Sequence, residues 1–391
     1  MKKIPFSVAS CDGNELQYVQ QVLESGWLTT AAKTHEFETR FAEAVNAKFA
    51  CAVNSCTAAL HLAAEAIGIS SGDKVFVPTW TFTASAEILR YLGADPVFLD
   101  VEEGSCLITP AILETAIAAH PSVKAVVIVH FAGQSAQMVP LNGQPGILDI
   151  CLQHGIRIIE DAAHAFPSCD QGTPVGGFGD VTCFSFYANK TITTGEGGIL
   201  TTNDEKLYKR CKIMRLHGID RDIWKRFTGT GESWEYDVIA PGFKYNMPDI
   251  NAAVGLAQLE RAEEFRLGRQ RCVEQYIKRL QCHPALDLPK VRVALKDHSW
   301  HLFPLVVKDK PGLPSRNTII ERLAFRGIGT SVHYKPLHRM TYYRERYNLQ
   351  PASFPVAEKM WKGCFSLPVY PSLSTDQLQY ITNSLEEILS L

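Results

Sequence analysis

Six short segments constrain the fold of this chain most: residues 50–54, 74–78, 96–100, 124–130, 157–161 and 183–187. Several are apolar throughout rather than alternating, which is the mark of strands buried on both faces. Helical patterns separate most of them, among them 57–67 and 84–92. Phe37, Phe41 and Val45 mark another helical face at i, i+4 and i+8. This alternation predicts an α/β fold with a mostly parallel sheet between layers of helices. The pattern changes over 241–249. A long helix is expected over 250–280, followed by a strand at 301–307, a helix at 317–326, a strand at 329–334 and a closing helix at 375–389. The predicted organisation is a large α/β domain with its N-terminal segment over 1–248. Over 249–391 a connecting helix leads into a smaller α+β domain, and 391 residues accommodate both.

Charge and cysteine usage remove several function classes. The formal net charge is −2 and no long basic run occurs, whereas duplex binding calls for a concentrated positive face. The 11 cysteines are odd in number and contain no C-x-x-C pair, which argues against a disulfide framework and a zinc ribbon. No metal-binding spacing such as H-E-x-x-H is present. Asp12 and Glu15 precede any apolar stretch long enough for a signal peptide, and no run of about 18 apolar residues exists. The expectation is a cytosolic protein that binds neither nucleic acid nor membrane.

The chemistry is concentrated around one lysine. Lys190 lies just past the apolar run Cys183-Phe184-Ser185-Phe186-Tyr187 and just before Gly195-Glu196-Gly197-Gly198. A lysine in that setting loses its proton more easily than a solvated one, and a neutral amine forms a Schiff base with an aldehyde. Asp161 ends the strand candidate at 157–161, and in open α/β sheets ligands sit beyond the carboxyl ends of the strands. A carboxylate there suits the protonated ring nitrogen of pyridoxal 5'-phosphate (PLP), so the pair points to that cofactor. Asn54-Ser55-Cys56-Thr57-Ala58-Ala59-Leu60 is a strand-to-helix junction whose free amides and hydroxyls suit a phosphate, to which Ser185 adds a hydroxyl. Phe82 offers a face for a flat ring, and His164 a partner for a phenolic oxygen. His333 and His338 are candidates for lining a substrate cleft.

Each of these residues also has a plain alternative that its local sequence leaves open. Lys190 suits a surface loop, Asp161 and the Ser55/Thr57 pair suit helix caps, and Phe82 and His164 suit a core. His333 and His338 suit a loop. Glu160 should point to the opposite side of its strand from Asp161 and be structural. No P-loop and no G-x-G-x-x-G occurs, so a nucleotide cofactor lacks its signature.

Six motifs in order make the chain similar to the DegT-type sugar-nucleotide aminotransferases, a branch of the fold-type I PLP enzymes. They are the 54–60 junction, Pro78-Thr79-Trp80-Thr81-Phe82, Glu160-Asp161-Ala162-Ala163-His164-Ala165, the stretch from Ser185 to Gly198, Gly242-Phe243-Lys244-Tyr245-Asn246, and Val332-His333-Tyr334. The resemblance covers nearly the whole chain. It implies that Lys190 carries the cofactor, that Asp161 pairs with its ring nitrogen, that Phe82 stacks on its ring, and that Cys56, Thr57 and Ser185 hold its phosphate. It implies a homodimer with shared active sites, in which Lys244 and Asn246 of one subunit reach the phosphate of the other.

His164 stands where many relatives have glutamine, and Lys244 and Asn246 stand where asparagine and arginine are common. Both departures resemble the branch that aminates a UDP-4-keto-pentose for lipid A. Relatives that dehydrate instead replace the lysine with histidine, whereas Lys190 is present here. The implied activity transfers an amino group from L-glutamate, yielding 2-oxoglutarate, to a keto carbon (C4) of a nucleotide sugar, with specificity expected from the loop 221–237, His333 and His338. The alternative is a non-catalytic regulatory or assembly protein on the same fold.

Overall fold

The computed structural model describes residues 3–220 and 236–390. In chain order its first part comprises α1 (Glu15–Ser25), α2 (Ala32–Ala44), β1 (Phe49–Val53), α3 (Cys56–Ala66), β2 (Lys74–Pro78), α4 (Ala84–Tyr91), β3 (Asp95–Leu99), α5 (Pro110–Ala119), β4 (Ala125–Val129), α6 (Ile147–His154) and β5 (Arg157–Asp161). A two-residue hairpin, β6 (Cys169–Asp170) and β7 (Thr173–Pro174), is followed by β8 (Val181–Ser185), β9 (Gly198–Thr202) and α7 (Glu205–Met214). One seven-stranded sheet has the order β1-β9-β8-β5-β4-β2-β3. Its pairs are parallel except those made by β9, which runs against both β8 and β1.

The apolar-throughout strands are buried on both faces, as their composition predicts. Val75, Val77, Val127 and Val129 face a core shared with α3, α4 and α7, while Phe76, Val126 and Ile128 face another shared with α5 and α6. Helix α3 lies close on the sheet because its first turns carry Ala58, Ala59, Ala63 and Ala64. The side-chain hydroxyl of Ser55 accepts from the Ala58 amide at 3.1 Å and caps that helix.

The remaining elements are α8 (Asp249–Glu260), α9 (Ala262–Leu280), β10 (Leu286–Asp287), β11 (Phe303–Val307), α10 (Arg316–Phe325), α11 (Thr341–Arg346), α12 (Pro355–Gly363), β12 (Cys364–Leu367) and α13 (Thr375–Leu389). Strands β10, β11 and β12 form a three-stranded antiparallel sheet. A second core joins α9, α10 and α13 to this sheet and takes in Ile4 from the N-terminal segment.

Two expectations are corrected. The helix over 250–280 is two helices, because the chain leaves helical geometry at Arg261 (φ −110°, ψ 8°). The first half, α8, packs on α1 and α2, and the second half, α9, packs on α13. Residues 329–334 form no strand and make only an isolated bridge, Ser331 to Ser366, because this stretch is drawn to the wall of a cavity. No described helix is long and apolar enough to cross a membrane.

Candidate active site

The carboxyl ends of β4, β5 and β8 and the amino end of α3 enclose a cavity of about 420 Å³, a size suited to a small-molecule ligand. Its wall brings together Cys56, Thr57, Phe82, Asp161, His164, Ser185, Lys190 and His333 from the sequence-predicted set, and adds Glu196, His301 and Tyr334. Residues far apart in the chain meet because parallel strands deliver their carboxyl ends to one edge of the sheet.

The Lys190 side chain is held at the cavity wall. Burial pushes its amine down to about 8; Cys56 and Asp161 oppose that shift, and the Arg269 guanidinium adds to it. At pH 7 roughly a tenth of such an amine is neutral, against about one in a few thousand for an ordinary lysine. Capture of PLP by the cofactor-free protein is therefore expected to speed up about tenfold per pH unit up to about pH 8, then level off. The rate of absorbance change on mixing checks this, and a rate still climbing near pH 10 would refute it.

Asp161 is buried and aimed by two donors. Ser85 Oγ donates to Oδ2 at 2.6 Å, and the Ala163 amide donates to Oδ1 at 3.1 Å. Thr81 Oγ1 lies 2.7 Å from Ser85 Oγ and extends the chain. Glu160 points the other way, as predicted. It accepts from Thr182 Oγ1 and the Gly179 amide at 2.7 Å each and pairs with His130 Nε2 at 2.8 Å.

The amino end of α3 is open to the cavity through a close approach that only glycine allows. A Cβ at Gly198 would lie 2.5 Å from the Cys56 amide nitrogen and 2.5 Å from the Ser55 carbonyl carbon. Gly198→Ala should cost about 1–3 kcal/mol through overpacking and weaken phosphate binding at the same helix end. Unfolding curves and a titration with PLP check both effects, and unchanged affinity would count against this end of the helix.

His164 reaches the cavity with a partner attached. The Ala132 amide donates to Nδ1 at 3.3 Å, so the ring proton is on Nε2, which lies 2.9 Å from the Tyr334 hydroxyl. Burial, then Lys190 and His333, hold His164 well below its usual range, so the ring is neutral. His164 Nε2 therefore donates to Tyr334, and the tyrosine keeps its own proton for an acceptor elsewhere. Phe82 is 57% exposed; its ring is 6.0 Å from that of Tyr334, and one face is left for a flat partner.

Three predicted residues are not brought to this cavity. His338 is fully buried elsewhere: Nδ1 is 2.7 Å from Thr79 Oγ1, Nε2 is 2.7 Å from Glu358 Oε1, and the ring stacks on Phe354. It ties the end of β2 to α12, which corrects the expectation that it meets substrate. Lys244 is exposed, and its carbonyl accepts from Asn54 Nδ2 at 3.4 Å. Asn246 Nδ2 donates to Thr30 Oγ1 at 2.7 Å. Of the expected specificity loop 221–237, residues 221–235 lie outside the described residues.

Sequence reasoning passed over Ser85, His301 and Tyr334. Ser85 had a signal in the hydroxyl-rich run beside Phe82, and Tyr334 was part of a motif but had no role. His301 had none.

The donor set fits PLP. Amides at a helix start with Thr57 and Ser185 hydroxyls suit its phosphate, Asp161 its ring nitrogen, Phe82 its ring, and the Lys190 amine its aldehyde.

A family model described as the DegT/DnrJ/EryC1/StrS aminotransferase family matches residues 9–386. The chain is 41% identical over 387 residues to the spore coat polysaccharide biosynthesis protein SpsC of Bacillus subtilis (strain 168), covering 99% of this chain and 97% of that protein. Among solved structures it is similar to Helicobacter pylori PseC, an aminotransferase involved in the biosynthesis of pseudoaminic acid. The TM-score is 0.89 at 28% identity, with 100% of both chains covered. The PLP-form of Spr1654 from Streptococcus pneumoniae matches with a TM-score of 0.85 at 30% identity, over 99% of this chain and 100% of that one.

Proposed function

Because the chain belongs to the DegT/DnrJ/EryC1/StrS aminotransferase family and is a PLP-dependent sugar aminotransferase, we propose that it moves an amino group from L-glutamate to the C4 keto carbon of a nucleotide-activated sugar. The observation that carries the transfer chemistry is the placing of Lys190 and Asp161 in one cavity, the amine depressed and the carboxylate aimed by Ser85. His164 in place of glutamine, with Lys244 and Asn246 in their loop, supports a UDP-linked 4-keto sugar.

Bound PLP supplies an electron sink for the carbon that loses its proton. The residues do the rest. The amides of α3 with Thr57 and Ser185 anchor the phosphate, and Phe82 covers the ring face. Asp161 keeps a proton on the ring nitrogen. With PLP bound, Lys190 Nζ would be the base that takes the proton from the donor's α-carbon and the acid that returns it. With the keto sugar the same nitrogen works in the opposite sense, so one group serves both halves and no second base is required. A catalytically silent role would leave the intact set of Lys190, Asp161 and Ser185 without a purpose.

The same reading includes a homodimer in which Lys244 and Asn246 complete the partner's phosphate site. Neither residue lines the cavity of its own chain, and this with the exposure of Val238 and Ile239 beside that loop favours it; mass in solution tests it. The unpaired cysteines suit a reducing compartment, and a cytosolic location is part of the reading, checked by fractionation.

The deciding experiment offers UDP-, GDP- and TDP-linked keto sugars with glutamate and follows 2-oxoglutarate. Release with a UDP-4-keto sugar is expected. Turnover of simple keto acids alone would overturn the sugar assignment and leave the cofactor assignment standing.

A further inference from the structure

His301 is a buried histidine for which neither the fold nor the transfer chemistry above accounts. It is 6% exposed and lines the cavity just ahead of β11. Its ring centroid is 4.3 Å from that of His164. Nδ1 is buried with no hydrogen-bond partner among the described residues, and buried polar groups without partners are uncommon enough to require an explanation. The backbone around it is firmly held. The Leu302 amide donates to the Ala132 carbonyl at 3.1 Å, Ser299 Oγ donates to the His164 carbonyl at 2.6 Å, and Arg269 donates to the His301 carbonyl at 3.4 Å.

The ring's polarity follows from that setting. An orphaned N–H is rarer in protein interiors than an under-satisfied acceptor, so the bare nitrogen is Nδ1 and the proton is on Nε2. The sealed Nδ1 edge leaves the Nε2 edge to the cavity. His301 thus presents an N–H donor to whatever binds there.

The surrounding field selects the sign of that partner. The Arg269 guanidinium, itself buried, is hydrogen-bonded only to the carbonyls of Trp300, His301 and Val369, and its Nε has no partner. No carboxylate neutralises it among the described residues. Burial, then His164, Lys190, Arg269 and His333, keep the His301 imidazole neutral. A donor N–H backed by an unpaired guanidinium and a lysine calls for an anion.

We propose that His301 Nε2–H binds the α-carboxylate of the amino donor and is a specificity-determining residue for the first half of the transfer. This rests on the transaminase reading above. The α-carboxylate is bonded to the carbon whose proton Lys190 handles, so it is the donor's anionic group that must sit on the Lys190 side. A sugar hydroxyl would gain nothing from the buried charge of Arg269.

The test uses cofactor-loaded protein and glutarate, which has the dicarboxylate skeleton of glutamate and no nitrogen to transfer. Calorimetry should show glutarate binding about 10–100-fold weaker in His301→Phe, the loss typical of a charge-assisted hydrogen bond. His301→Gln, whose amide places an N–H near the Nε2 position, should restore most of it. In single-turnover half-reactions the His301→Phe loss should fall on KM for the donor and leave that for the keto sugar within about twofold. Equal glutarate affinity in wild type and His301→Phe, or a loss confined to the keto sugar, would overturn the assignment.

Should His301→Phe not fold, wild-type protein decides. Glutarate must shift the imidazole ¹⁵N resonances of His301 while leaving those of His338 in place, and no shift overturns the proposal. Wild-type protein that never shows lysine-bound cofactor overturns the transaminase reading itself, and that is measured before any variant.

Discussion

Lys190→Ala is expected to lower turnover by roughly 10⁴-fold or more, since it removes both the attachment point and the proton-transfer group. The protein should also lose the absorbance of lysine-bound cofactor. The phosphate cradle at α3, the Asp161 carboxylate and the Phe82 face all remain, so PLP should still bind, only without a covalent link. Borohydride reduction, digestion and mass measurement separate these outcomes. Wild-type protein should give a reduced adduct on the peptide containing residue 190, and the variant none. A variant that keeps both the absorbance and full turnover would disprove the role given to this lysine.

Asp161→Asn is expected to lower turnover by roughly 10³-fold while leaving the cofactor attached, because it removes a charge and little shape. The Asn oxygen can still accept from the Ala163 amide, while its Nδ2 donates to Ser85 Oγ, a hydroxyl able to accept as well as donate, so the side chain stays aimed. What is lost is the negative charge that favours a proton on the ring nitrogen, and with it the electron-withdrawing power of the ring. The loss should appear in kcat with the absorbance of lysine-bound cofactor retained, the opposite of the Lys190→Ala pattern. Normal turnover in Asp161→Asn would show that another group protonates the ring nitrogen.

Much of the fold could be read before the structure because burial on two faces leaves a direct mark on composition. Val126, Val127, Ile128 and Val129 have no exposed face on which a polar residue could sit, so the strand declares itself. The last strand of the large sheet, β9, was missed for the converse reason. It starts on a glycine and ends on two threonines, and its identity as a strand comes from pairing with β1, whose residues lie far upstream. The break at Arg261 was also hidden. The helical pattern continues through it, and only the packing of α8 and α9 on different neighbours separates them.

The candidate site divides along the same line. Lys190, Asp161 and the α3 junction were legible because strand ends, helix starts and glycine-rich turns have local signatures, and these three features lie at such places. His333 and His338 are near neighbours in the chain with opposite fates. One lines the cavity, and the other is locked between Thr79 and Glu358, partners supplied by distant elements.

By itself, then, the order of residues determined the layered α/β architecture, the family and the cofactor, and pointed to Lys190 as its proposed attachment point. Those properties rest on interactions between near neighbours and on the two-sided burial of single strands. Only the folded chain decided which hydroxyl aims Asp161, which way the His164 proton points, and that His301 lines the cavity with an Arg269 behind it that has no carboxylate partner among the described residues. These depend on the direction of single hydrogen bonds and on the placing of charges, which arise between elements that meet only when the sheet and the second core are both assembled.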